Sequence, residues 1–146
     1  MEQLSSSPYQ QRNKVSWSPG RTHKFMPNIF LLIGSKPGSS WAATVREELR
    51  PLGELETVPD SEALAQISKA DYQMIIIDAG AVEDMASLIS DLRKVASSVP
   101  IVVATASPTW QSAKEVFMTG ADDYIRKSLD ASALGTTLRE ILSRSR

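Results

Sequence analysis

The sequence predicts an α/β fold: a doubly wound, parallel five-stranded sheet covered by five helices. Three observations lead there. Short apolar runs alternate five times with segments of helical periodicity, the pattern of βα units whose helices cover both sheet faces. The connections are short, and no internal repeat intervenes. The runs also differ in polarity: the second is polar enough for an edge, while the first, third and fourth are apolar enough for the centre.

Residues 1–27, "MEQLSSSPYQQRNKVSWSPGRTHKFMP", lack periodicity and are rich in Ser, Gln, Pro and Arg, so they read as a flexible arm before a folded domain at 28–146. Tyr9, Trp17 and Phe25 break the arm's polarity and give part of it something to dock with. "NIFLLIG" is the first buried strand, followed by Trp41, Val45, Leu49 and Leu52 at helical spacing. "LETV" is the weak second strand, and Asp60 is placed to cap a helix carrying Ala63, Leu64 and Ile67. "YQMIIID" is the third strand, and Met85, Leu88, Ile89, Leu92, Val95 and Ala96 form the stripe of the third helix. After Pro100, "IVVATA" is the fourth strand. Ser107 as cap and Pro108 at the first helical position open a helix lined by Trp110, Ala113 and Phe117, with Trp110 read as core ahead of its alternative, an exposed binding residue, and Gly120 ends it. "DDYIRK" is the fifth strand, and Asp130 caps a last helix with Leu134, Leu138, Ile141 and Leu142 on one face. Right-handed crossovers and these polarities are satisfied by the flavodoxin-like order 2-1-3-4-5.

Composition narrows the function classes. A chain of 146 residues suggests one domain, and 42% hydrophobic with 23% charged residues excludes wholesale disorder. The arm holds four basic residues against one acidic residue, and the rest of the chain is net −4. The overall charge of −1 exerts no strong pull on nucleic acid, so neither nucleic acid nor a membrane is expected as a partner. Cysteine is absent, which removes disulfides, thiolate metal sites and cysteine nucleophiles. There is no run of 18 apolar residues and no signal-peptide layout, so a cytoplasmic location is expected.

In an open α/β sheet the ligand crevice lies beyond the carboxyl ends of the strands, where the strand order reverses. For order 2-1-3-4-5 this brings together the Gly34–Gly38 loop, Asp78, Thr105 and Lys127. Asp78 stands out because it closes a mostly apolar strand; its structural alternative is a helix cap or an ion pair with Lys127. The loop "GSKPGSS" invites a phosphate-binding reading, but Gly34 and Gly38 have three residues between them, not four, and Ser39 stands where lysine is needed. The one histidine, His23, lies in the arm, so a Ser-His-Asp set is implausible. No His/Asp/Glu group has metal-ligand spacing.

These residues resemble a known family. Asp78 closing "MIIID", Thr105 in "PIVVATAS" and the segment "GADDYIRKS" are similar to the receiver domains of bacterial response regulators, over about residues 28–144. The 22-residue interval from Thr105 to Lys127 suits that family too. The resemblance implies a phosphoryl group accepted from a histidine kinase or phosphotransfer protein onto Asp78, with no enzymatic activity beyond that transfer to itself. A carboxylate nucleophile forms an acyl phosphate. Lys127 would compensate the phosphoryl charge, Thr105 would hydrogen-bond its oxygens, and Tyr124 would swing inward as the switch. It further implies output through a partner on the face of the fourth helix, fifth strand and fifth helix. A homodimer stays open as an assembly. Because no output segment follows residue 146, a stand-alone signalling domain is expected.

The departures matter as much. Receivers carry acidic residues just after strand one, which bind Mg²⁺. Here Pro37 is kept, but Gly34, Ser35 and Lys36 occupy those positions. Glycine supplies no donor, serine a neutral hydroxyl and lysine a repelling charge, so Mg²⁺ binding is expected to be weak or absent. Asp122 and Asp123 begin strand five at the wrong end to substitute, and Glu83 and Asp84 lie too far along their loop. Lys36 is one candidate for a fixed charge replacing the cation. The expectation is an atypical receiver with Asp78 as candidate acceptor and a degraded metal site; the alternative is a phosphorylation-independent pseudo-receiver acting as a protein-binding regulatory module. A small-ligand-binding domain unrelated to signalling is the third reading.

Overall fold

Strands rich in Ile, Val and Leu favour a pleated, doubly covered surface, and the sheet is built from them. The computed structural model describes residues 28–36, 38–128 and 130–144. The arm at 1–27, with Tyr9, Trp17, His23 and Phe25, lies outside the described residues, as does Pro37. In chain order the elements are β1 (Asn28–Ile33), α1 (Ser40–Leu49), β2 (Gly53–Val58), α2 (Ala63–Ile67), β3 (Met74–Asp78), α3 (Met85–Val95), β4 (Ile101–Thr105), α4 (Trp110–Thr119), β5 (Asp123–Arg126) and α5 (Ala131–Arg144). Single 3₁₀ turns span Asp60–Glu62 and Ala79–Ala81. The sheet order is β2-β1-β3-β4-β5 with every pair parallel, as the polarity of the strands predicts.

Alternation along each strand divides the core in two. Phe30 and Leu32 of β1 join Met74 and Ile76 of β3 in a layer under α1 and α5. Leu31 and Ile33 join Ile75 and Ile77 in a layer under α2, α3 and α4. Those strand residues are fully buried, and burying each side chain of this size contributes about 1.5–3 kcal/mol. The last helix follows its reading: Asp130 Oδ1 accepts from the Ala133 N–H at 2.8 Å, and Leu134, Leu138, Ile141 and Leu142 face inward. Gly120 ends α4 with φ +126°, a conformation that disfavours a side chain.

Several sequence readings need correction. Trp110 is not core: it is 83% exposed. The inward side of α4 is set by Val116, and Trp110, the helix's first residue, projects from another face. Phe117, seven residues on and so on the face of Trp110, is likewise exposed. The α4 cap is Thr109, whose hydroxyl accepts from the Ser112 N–H at 3.0 Å; Ser107 and Pro108 precede the helix. Asp60 opens a 3₁₀ turn instead of capping α2, and that helix lasts only five residues, with Leu64 exposed. Val95, the last residue of α3, is also exposed.

Candidate functional site

Burying a polar side chain is costly unless it is hydrogen-bonded, so where such groups sit is informative. Among the described residues, the buried polar or charged ones are Ser35, Asp78 and Thr105, and all three lie at or just past the carboxyl ends of β1, β3 and β4. The fold alone places a ligand crevice there.

Asp78 is the last residue of β3 and only 6% exposed. Its Oδ1 accepts from the Gly80 N–H at 3.2 Å, which caps the Ala79–Ala81 turn. Its Oδ2 accepts twice, from the Ser35 hydroxyl at 2.5 Å and from the Lys127 ammonium at 2.9 Å. Lys127 follows β5 and is anchored by its own N–H donating to the Thr105 carbonyl at 2.8 Å. Its Nζ also lies 5.0 Å from the centroid of the Trp41 ring, at the start of α1. The ammonium therefore has both an anion and an aromatic ring within reach.

No hydrogen bond to the carboxylate is seen from the remaining sequence-predicted residues among the described ones. Thr105 Oγ1 accepts from the Ser107 N–H at 3.1 Å, which turns it toward the loop entering α4. Tyr124 pairs in register with Val103 and packs, partly buried, against the α2/α3/α4 layer. Lys36 is exposed. Asp122 and Asp123 do lie at the opposite end of the sheet, since the Asp122 N–H donates to the carbonyl of Ile101, the first residue of β4. Asp84 is occupied in capping α3 through the Ser87 N–H.

The side chains at the strand-one loop do not fit a divalent cation. Mg²⁺ asks for near-octahedral oxygen coordination with carboxylate support. Here a hydroxyl and an ammonium already share the one buried carboxylate oxygen. Among the described residues no group of three or more His, Cys, Asp or Glu side chains comes together. Gly34 has φ +104°, and a Cβ there would come within 3.2 Å of the Asp78 carbonyl oxygen and of Ala81 Cβ. A carboxylate at that position would strain the backbone as well as crowd the turn.

Two contacts of the site escape the sequence reading. Ser35 was read only as a lost acid, whereas its hydroxyl is the shortest bond to Asp78. Trp41 was read only as a helix-stripe residue. Its place three residues after the glycine at Gly38, opening the helix beside the crevice, was the available signal.

Comparison with known proteins bears on the family and the fold. The family profile for the response regulator receiver domain matches residues 50–139, a span that holds Asp78, Thr105, Tyr124 and Lys127 and leaves out the β1–α1 loop. The two-component response regulator PhoP of Pseudomonas aeruginosa is 36% identical over 94 residues, which cover 62% of this chain and 41% of that protein. The chain thus spans less than half the length of this curated relative. Among solved structures, a CheY-like response regulator receiver domain protein from Methanospirillum hungatei superposes with a TM-score of 0.70 at 17% identity, covering 82% of this chain and 96% of the other. An atypical orphan response regulator, described as revealing a phosphorylation-independent regulatory mechanism, gives a TM-score of 0.67 at 20% identity, covering 79% and 95%. With the profile matched over more than half its length, this chain belongs to the response regulator receiver domain family.

Proposed function

We propose that Asp78 is a phosphoacceptor that works without a divalent cation, and that the domain is a cytoplasmic element of a phosphorelay. The observation that carries this reading is the unequal use of the carboxylate: Oδ2 is held by Lys127 and Ser35, while Oδ1 keeps a single amide at 3.2 Å. Oδ1 is the oxygen left with capacity to attack. It adds to phosphorus as the bond from phosphorus to the donor's leaving group breaks, and that group departs with the electron pair. The products are an acyl phosphate on Asp78 and the free leaving group, with a histidine kinase or phosphotransfer protein as donor. Lys127 is already in place to offset the added charge, and Thr105, tied to it through the backbone, is the hydroxyl that hydrogen-bonds the new oxygens. Tyr124 and the α4–β5–α5 face carry the change outward. The exposed Trp110 and Phe117 of α4 supply apolar contact area for a regulatory protein partner.

A second reading is favoured by the same site seen from Oδ2: a carboxylate already closed by a hydroxyl and an ammonium needs no phosphoryl group to be satisfied. In that reading the domain is a pseudo-receiver that regulates a partner by contact; the orphan regulator with 20% identity is described as having a phosphorylation-independent regulatory mechanism. Incubation with acetyl phosphate or phosphoramidate separates the two. The acceptor reading expects one added phosphoryl group by intact mass, about 80 Da, at equal rates in Mg²⁺ and in EDTA. No added mass under either condition leaves the pseudo-receiver.

A further inference from the structure

We infer that Trp41 is a positioning residue that holds the Lys127 ammonium on Asp78, taking over the restraint that acidic neighbours would otherwise supply. The inference deepens the acceptor reading and rests on it for its kinetic consequence.

Three observations carry it. Lys127 Nζ stands 5.0 Å from the Trp41 ring centroid, within the roughly 6 Å over which a ring face attracts a cation. Lysine is a compact charge on a flexible four-carbon stem, and with Gly34, Ser35 and Lys36 beside the crevice the loop contributes no carboxylate to fix it. The third observation is a cost. Trp41 Nε1 is buried and has no hydrogen-bond partner among the described residues. Leucine or phenylalanine would fill the same edge of the α1/α5 layer, against which Trp41 packs, without stranding an N–H. A tryptophan that leaves its polar atom unsatisfied offers one thing those residues do not match: the strongest ring face for a cation.

The ring also sits on a rigid element. Ser39 caps α1 by accepting from the Ala42 N–H, one residue beyond Trp41. Ring, ammonium and carboxylate thus connect α1, the end of β5 and the end of β3. The ring fixes the ammonium over Oδ2 and leaves Oδ1 open.

The test compares Trp41→Phe, which keeps a ring, with Trp41→Leu, which keeps only bulk; amide spectra of both verify that the sheet is intact. The first readout needs no phosphorylation. In the unphosphorylated protein the Lys127 ε-methylene NMR signal, assigned by its loss in Lys127→Arg, is expected upfield of ordinary lysines through the ring current. The shift should persist in Trp41→Phe and collapse in Trp41→Leu. An ordinary Lys127 shift in the wild type, or an unchanged upfield shift in Trp41→Leu, overturns the inference. The second readout is the rate of phosphorylation by acetyl phosphate: about three- to tenfold slower in Trp41→Leu, in the maximal rate and not in the donor concentration dependence, with Trp41→Phe between Trp41→Leu and the wild type. An unchanged rate in Trp41→Leu overturns the inference as well. If no variant, wild type included, takes up phosphate, the acceptor reading fails and the NMR comparison alone decides the role of Trp41.

Discussion

At the amino end of the sheet Arg93 reaches from α3 to Asp122, and at the carboxyl end Lys127 reaches from β5 to Asp78. Arg93 spends every nitrogen: Nε donates to the Gly120 carbonyl at 2.8 Å, Nη1 to the Val99 carbonyl at 2.6 Å, and Nη2 to Asp122. The accepting oxygen of Asp122 also takes the Ile101 N–H at 2.8 Å. This pair stitches the end of α3 to the starts of β4 and β5 through backbone groups, and a rigid planar guanidinium suits that task. Asp78 is more deeply buried and accepts three bonds, but its cation is a movable ammonium that also faces an aromatic ring. An ion pair woven into the backbone holds the fold. A pair made of side chains around a part-used carboxylate leaves room for chemistry.

Removing a partner at each end should separate these roles. Arg93→Ala is expected to cost the most stability, about 3 kcal/mol, since it strands backbone carbonyls as well as Asp122; urea denaturation reads this, and phosphorylation of the remaining folded protein should keep its rate. Ser35→Ala removes a hydrogen bond to a charged group and should cost about 2 kcal/mol by the same assay, without the loss of cooperativity expected from a broken stitch. A third pair sharpens the comparison because its carboxylate is met by neutral donors alone. Tyr72 donates to Glu56 at 2.5 Å and accepts from Gln66 Nε2 at 2.7 Å. Burial, and then the bond to Glu56, raise the Tyr72 phenol above its ordinary value of 10.0. The folded state thus holds this proton more tightly than the unfolded state. Its contribution is fully present below pH 10 and declines as the pH rises from there through the raised value. Tyr72→Phe should therefore cost about 1 kcal/mol at pH 7, and the difference from wild type should shrink above pH 10 in melting experiments.

The fold was legible because each strand and helix carries its own period: "MIIID" and "IVVAT" could be little else than central strands, and Asp130 announces α5 by its capping geometry. The convergence of Asp78 and Lys127 was legible from topology, since the crossover order alone brings both strand ends to one crevice. What was not legible is what depends on side-chain direction. Trp110 is apolar and opens a helix, but whether it faces in depends on where the helix axis passes over the sheet, and Val116 settles that. The Ser35–Asp78 bond spans 43 residues, so no local pattern announces it. The Gly34 backbone, at φ +104° and crowded by the Asp78 turn, likewise becomes intelligible only once β1 and β3 lie side by side.

The central claim is that Asp78, held at Oδ2 by Lys127 and Ser35, accepts a phosphoryl group without a divalent cation. Intact-mass measurement after incubation with acetyl phosphate in EDTA tests it most directly, with Asp78→Asn as the comparison. The account predicts a gain of about 80 Da in the wild-type protein, at the same rate when Mg²⁺ is supplied, and no gain in Asp78→Asn. A wild-type protein that gains no mass in EDTA, or whose gain survives in Asp78→Asn, would contradict it.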